Sequence, residues 1–359
     1  MLVETHFPRR LSPSRYDSYL AAGWFRGSLM LYKMDLLCVD ETLYSVVNIR
    51  INLMQHIMSK RQRKLIRRNA KRYRVELGKV QITPEKERLY ELHKPRFKGY
   101  VHDCLADYLS QGVAGQIFDT REMRIYEGDT LVAVSFFDVG QGSLASLLGL
   151  HDPAHASASL GTYTLLQEMI WGQQNGFKWF YPGYVMDRPS DFDYKLRLGD
   201  IEYYTPTKRW GKWMRYDREK TNAAWIEREM RGLEAQLSAC GVSCRSWLYP
   251  YFTLGNLPFV HIDFLNLPWF FEIGHDLDGM LIVGFSPLSG GFVLAHILPC
   301  PNEFPQASLE FASEYENSEA YWNALMKFGD IRMNPASASD VVAFVTGWQH
   351  RFDAIAHTA

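Results

Sequence analysis

Between residues 131 and 210 the apolar positions switch from a two-residue repeat to a helical repeat and back, and few folds accommodate that order. Residues 123–126 and 131–139 are β-branched and aromatic runs separated by Glu127, Gly128 and Asp129, the pattern of a β-hairpin. Residues 143–150 read as the next strand. In the HDPAHASASLG segment that follows, Pro153 and small residues keep the chain irregular. A helix is predicted from about Ser159 to Gln174, because Leu160, Tyr163, Thr164, Ile170 and Trp171 recur at helical spacing and Asn175-Gly176 supplies a C-cap. Residues 178–183 and 201–204 return as strands. The order contains one βαβ crossover, whose first helical turn at Ser159, Leu160, Gly161 and Thr162 has backbone N–H groups to offer to an anion or a carbonyl.

Charge is the second constraint. The formal net charge is −1, yet residues 1–220 carry 33 basic and 25 acidic groups, whereas residues 221–359 carry 6 and 15. A polyanion should therefore meet the first part and be repelled by the tail. Residues 59–74 hold nine cations in sixteen positions, with Leu65, Ile66 and Tyr73 as sparse anchors and Ser59 as a candidate N-cap. The expectation is a helix with cations around much of its circumference, self-repelling unless an anion comes to it. Phosphate contact by Lys60, Arg61, Arg63, Arg67, Arg68, Lys71 and Arg72 would release counterions and give affinity without base specificity, with Gln62 and Asn69 adding hydrogen bonds.

Around this centre the first twenty or so residues read as irregular, residues 43–53 as a strand and residues 75–82 as another. Thr83-Pro84-Glu85 opens a helix that ends near Pro95, and residues 100–109 form a further helix. In the tail, helices are predicted at 221–240, 313–326 and 339–350, with strands at 269–273, 280–285 and 291–298. The expected division is an N-terminal α/β layer with the basic helix (1–115), a transfer domain (116–214) and an acidic α/β module (215–359). With 47% apolar residues the chain can bury a large core. Five scattered cysteines make no disulfide framework, His93 and His102 lack supporting carboxylates for a metal, and no 18-residue apolar run or export signal is present. A cytoplasmic protein with no membrane partner is the expectation.

The segments LVAVSFFDVG, DPAHASASLGTYTLLQEMIW, KWFYPGY and FDYKLRLGDIEYY, with MSKRQRKLIRRNAKRYRVEL upstream, resemble the arginyl-tRNA-protein transferase family and its bacterial leucyl-transferring relatives across roughly residues 50–213. The resemblance implies an α/β fold with a GNAT-like mixed-sheet core of the acyl-CoA N-acyltransferase type, flanked by N-terminal and C-terminal α/β modules. It also implies an aminoacyltransferase that uses aminoacyl-tRNA as cosubstrate and acylates a protein, peptide or small-molecule amine, with no permanently bound cofactor and no metal. The cysteine cluster common near the N-terminus of that family is absent from residues 1–33.

Attack of an amine on an ester needs a deprotonated nucleophile, a polarised carbonyl and a held leaving group, but no side-chain nucleophile. At the end of the 178–183 strand, Tyr181 and Tyr184 can donate to an ester or ribose oxygen. Asp193, beside the Tyr-Lys pair that matches the family, is the choice for orienting or deprotonating the incoming amine. Lys195 is the choice for holding a terminal phosphate or a substrate carboxylate. Asp138 either faces the same crevice or alternates onto a surface. His151 and Asp152 are chain neighbours, which seldom aim at each other, so they are read as turn residues. Two other readings stay open: an acyl-CoA-dependent N-acyltransferase and a non-catalytic RNA- or peptide-binding protein. The tail caps the transfer domain, recognises the acceptor or makes an oligomer, and the residues do not choose among these.

Overall fold

The computed structural model describes residues 3–97, 102–110, 112–256, 262–300 and 318–356. The first elements are β1 (Val3–His6), α1 (Pro13–Ala21), β2 (Phe25–Gly27), β3 (Met30–Met34), β4 (Leu36–Val39) and the long β5 (Thr42–Asn52). Next come α2 (Lys60–Ala70), β6 (Arg74–Lys79), α3 (Pro84–His93), α4 (Leu105–Leu109), β7 (Thr120–Glu127), β8 (Thr130–Val139) and β9 (Ser143–His151). The crossover helix α5 (Leu160–Gln174) leads to β10 (Trp179–Tyr181), β11 (Tyr184–Met186), β12 (Ile201–Tyr204) and β13 (Trp210–Lys212). The remainder carries α6 (Asn222–Ala239), β14 (Arg245–Leu248), β15 (Trp269–Asp276), β16 (Gly279–Ser286), β17 (Gly291–Pro299), β18 (Met326–Ala336) and α7 (Ala338–Ala356).

The chain divides into two compact units, one of Thr5–Met34 and Val46–Asp217, the other of Met1–Glu4, Asp35–Ser45 and Arg218–Ala359. The boundary expected at 115 falls inside the first unit, and segment 35–45 joins the acidic tail rather than the N-terminal layer.

In the first unit the sheet runs in the order β13, β12, β5, β10, β9, β8, β7, β6, with β11 also paired to β5. β9 and β10 pair in parallel over Ser143–Trp179, Leu144–Phe180 and Ala145–Tyr181, and the other described pairings of these strands are antiparallel. This is the mixed α/β, GNAT-like arrangement that the crossover demands. β8 is apolar almost throughout because both faces are covered. A bulge between Phe136 and Phe137 sends these neighbours to opposite sides: Phe137 joins the core under α5 with Leu160, Leu166 and Met169, and Phe136 joins the core under α3 and α4 with Leu89, Tyr90 and Leu105.

The second unit contains an antiparallel sheet ordered β14, β15, β16, β17, β18, with α6 beside β16 and α7 beside β17. The three predicted tail strands and the 221–240 and 339–350 helices correspond to β15, β16, β17, α6 and α7.

Four local expectations differ from the structure. Residues 13–21, read as irregular, form α1, because Ser12 caps it by accepting from the Arg15 N–H at 3.2 Å and Pro13 takes the first turn. Thr83 precedes α3 without a side-chain cap bond. Of the helix predicted at 100–109, the described part is helical only from Leu105. Of the one predicted at 313–326, residues 313–317 lie outside the described residues and residues 318–326 are not helical. There the Trp322 N–H donates to the Leu248 carbonyl at 2.9 Å, so strand-like pairing outweighs the local helix propensity.

Candidate active site

The site begins where two strands part. β9 and β10 are hydrogen-bonded as far as Ala145 and Tyr181; beyond that point β11 pairs with β5, through Tyr184–Asn48 and Val185–Val47. Gly183 makes the turn between β10 and β11 with φ +94°, and a Cβ there would lie 3.2 Å from the Lys195 Nζ. Glycine thus supplies the left-handed backbone and the room for that amine.

Lys195 is half-buried. Its Nζ donates to the Tyr184 carbonyl at 3.1 Å and lies over the rings of Phe192 (4.8 Å to the centroid) and Tyr184 (5.4 Å). Burial lowers its pKa to about 7, so the amine is largely neutral just above that pH. This placement does not suit the phosphate-holding role expected for Lys195, since a ring-enclosed amine near neutrality is a poor anion clamp and a good proton acceptor. The Tyr184 ring packs on Phe25 and Phe192, both at 5.2 Å. Burial, helped by the nearby Tyr108 phenol, raises the Tyr184 pKa to about 12, which keeps it a donor. Asp193 is half-buried and accepts from the Ser190 hydroxyl at 3.3 Å. Tyr181 instead sits in the cluster of Tyr16, Leu20 and Ala145, and its phenol neighbours Arg50. The structure therefore brings together Tyr184 and Lys195, on the segment that also carries Asp193, and gives Tyr181 a packing position.

At the other wall Ser159 stands in the left-handed region with φ 53° and makes no side-chain cap bond, so α5 begins at Leu160. Leu160 is buried in the core, which leaves only its backbone for a ligand. Among the described residues, no acceptor is bonded to the N–H groups of Leu160, Gly161 or Thr162. His151 and Asp152 turn to different partners: the His151 Nε2 lies 3.3 Å from Arg96, and Asp152 pairs with Arg88 at 3.4 Å.

The basic helix joins both walls. Ser59 and Gln62 form a reciprocal capping box, and α2 ends at Ala70 rather than near Arg74. Its cations do not ring the helix, because Gln62, Leu65, Ile66 and Asn69 make one inward stripe at helical spacing. The Gln62 amide donates to the carbonyls of Leu198 (2.8 Å) and Arg197 (3.2 Å), next to the Asp193–Lys195 segment. Asn69 donates to the Ala158 carbonyl at 2.9 Å, immediately before α5, and Arg68 reaches the same carbonyl at 3.2 Å. Gln62 and Asn69, expected to touch RNA, are buried structural pins instead. The outward face retains Lys60, Arg61, Arg63, Arg67 and Lys71, all exposed, for which no carboxylate partner is found among the described residues. Arg72 is engaged with Glu127, which also meets His155 at 3.0 Å.

Sequence reasoning missed Glu168, the one charged residue in α5. It faces the sheet, is fully buried, and neither of its carboxylate oxygens has a hydrogen-bond partner among the described residues. Burial raises its pKa to about 8, with the nearby hydroxyls of Ser135 and Ser146 opposing the shift. A lone charge in an otherwise apolar helix was the available signal. Asp138 lies neither at the crevice nor on a surface: it is buried, paired with Arg26 at 2.7 Å and bonded by Tyr16 at 3.0 Å.

Residues 85–205 match the family described as Arginine-tRNA-protein transferase, C terminus. Similar curated proteins include the aspartate/glutamate leucyltransferase of Leptospira interrogans, 24% identical over 217 residues, covering 59% of this chain and 82% of that protein. The enzyme of the same name from Caulobacter vibrioides is 26% identical over 245 residues, covering 66% and 84%. Among solved structures, FemX aligns with a TM-score of 0.35 at 9% identity, covering 55% of this chain and 67% of that one. No helix among the described residues is long and apolar enough to cross a membrane.

Proposed function

We infer that this chain, which belongs with the arginine-tRNA-protein transferase-like aminoacyltransferases, takes an aminoacyl group from aminoacyl-tRNA and forms an amide on the amine of a protein, peptide or small molecule. The observation that carries this reading is the attachment of α2. A helix with a free cationic face is fastened by Gln62 to the segment bearing Lys195 and by Asn69 to the start of α5, so a polyanion held on α2 has its end directed to both walls of one opening.

In the transfer step the acceptor nitrogen attacks the ester carbonyl carbon. The C–N bond forms, the ester C–O bond breaks, and the ribose hydroxyl leaves with the tRNA. Lys195, neutral near pH 7, accepts the proton released by the attacking ammonium, and Asp193 orients that amine. Tyr184 donates to the ester or ribose oxygen as negative charge develops there, and the open N–H groups of Leu160, Gly161 and Thr162 cradle the terminal nucleotide of the donor.

The test is a panel of labelled aminoacyl-tRNAs, leucyl and arginyl among them, incubated with the protein and peptides whose first residue is varied, Asp and Glu included. Label should move from at least one aminoacyl-tRNA to a free N-terminus. Transfer from acetyl-CoA and from no aminoacyl-tRNA would overturn the reading.

A further inference from the structure

We propose that Glu168 is the counter-ion for a primary ammonium group of the substrate, seated on the α5 side of the opening. The inference rests on the transfer reading above for what enters the opening, but its own basis is geometric. Glu168 is 0% exposed and both of its oxygens lack a hydrogen-bond partner among the described residues. Other carboxylates that the structure buries as deeply are matched: Glu122 by Lys86 at 2.6 Å and Asp138 by Arg26 at 2.7 Å. An unmatched carboxylate in a core costs stability without return unless a ligand completes it.

Its surroundings place it at the opening. Ser146 follows Ala145, the last residue of β9 paired with β10, and Ser135 lies on the adjacent β8. Tyr194, 39% exposed at the rim and one residue before Lys195, feels the charge of Glu168, which helps hold its phenol protonated. From the elements packed against α5, the groups facing the carboxylate are thus two neutral hydroxyls and a phenol, with no cation among those that influence it. That set can hydrogen-bond a primary ammonium around an anionic centre and has nothing to neutralise the anion in its absence. Two ammonium groups enter an aminoacyl transfer, the α-amine of the donated aminoacyl group and the N-terminal amine of the acceptor. The chemistry at Glu168 is shared by both.

The experiment is equilibrium binding to the full chain, wild type and E168Q, with four probes: 3′-(leucylamino)-3′-deoxyadenosine, its N-acetyl form, an acceptor peptide, and the same peptide N-acetylated. Wild type should prefer the free amine of one pair over its acetylated partner, by about 10- to 100-fold for a charge-assisted contact, and E168Q should lose that preference while binding the acetylated probe as before. The pair that shows the effect identifies the source of the ammonium. Equal preference in wild type and E168Q for both pairs would overturn the proposal and return Glu168 to a neutral packing role. Because binding is read without turnover, failure of the transfer panel and failure of this assignment are separate results.

Discussion

Two regions of the transfer unit bury ionised side chains in opposite ways. Along β7 and β8, Lys86 meets Glu122 at 2.6 Å, and Arg26 meets Asp138 at 2.7 Å with Thr120 and Tyr16 completing the carboxylate. At the opening between β9 and β11, Lys195 has two rings and a carbonyl for company, and Glu168 has no bonded partner among the described residues. Burial is common to both regions, so burial alone does not mark function. The paired region fixes the fold at an electrostatic cost already met within the chain, and the unpaired region keeps groups near neutrality for chemistry with something from outside.

The largest effect expected from that contrast is on stability in the paired region. Glu122→Ala leaves the Lys86 ammonium buried and alone, and should cost about 3–5 kcal/mol in denaturant unfolding. A loss below about 1 kcal/mol would show that the pair does not anchor the fold. Next in size, replacing Arg63, Arg67 and Arg68 together with alanine should weaken tRNA binding and flatten its salt dependence, by about 0.7–0.9 in the log–log slope for each phosphate no longer neutralised. An unchanged slope would remove α2 from the polyanion site.

A smaller effect, of opposite sign in the two unpaired groups, appears in stability against pH. The folded Glu168 has its pKa raised from an ordinary 4.5 to about 8. Between those pH values the folded chain keeps a proton that the unfolded chain has lost, so this group makes stability fall as pH rises. Lys195 is lowered from 10.5 to about 7, so the unfolded chain binds the extra proton and stability rises with pH from about 7 to 10.5. Melting of E168Q should therefore fall less than wild type between pH 5 and pH 8. Parallel melting curves would mean that Glu168 is ionised normally in the folded chain. Smallest of all, D193N should change melting by less than about 0.5 kcal/mol, since its bonded partner in the structure is one hydroxyl. Early melting of D193N would assign Asp193 to holding its loop.

How much of this the sequence shows depends on residue type. The crossover, the hairpin and the three central tail strands are legible because apolar repeats report which face is buried. The outward cations of α2 are legible because charge at that density repels itself unless a polyanion meets it. Gln62 and Asn69 are easily misread because an amide is equally at home on a surface and against a buried carbonyl, and only the fold brings Leu198 and Ala158 beneath them. Asp138 is ambiguous because β8 is covered on both faces, so alternation carries no information there. Lys195 stands out in the sequence but its role does not, since the rings of Tyr184 and Phe192 that neutralise it come together only when Gly183 turns the chain.

The proposed chemistry stands on a neutral lysine at the parted strands that takes the proton in aminoacyl transfer. Its most direct test is the single-turnover transfer rate of wild type and K195A across pH 6 to 9, with tRNA affinity measured on the same preparations. Wild type should speed up as pH rises through about 7, and K195A should lose that inflection and about 10²-fold in rate while binding tRNA as before. A K195A enzyme that keeps the inflection and a near wild-type rate would contradict this role for the lysine.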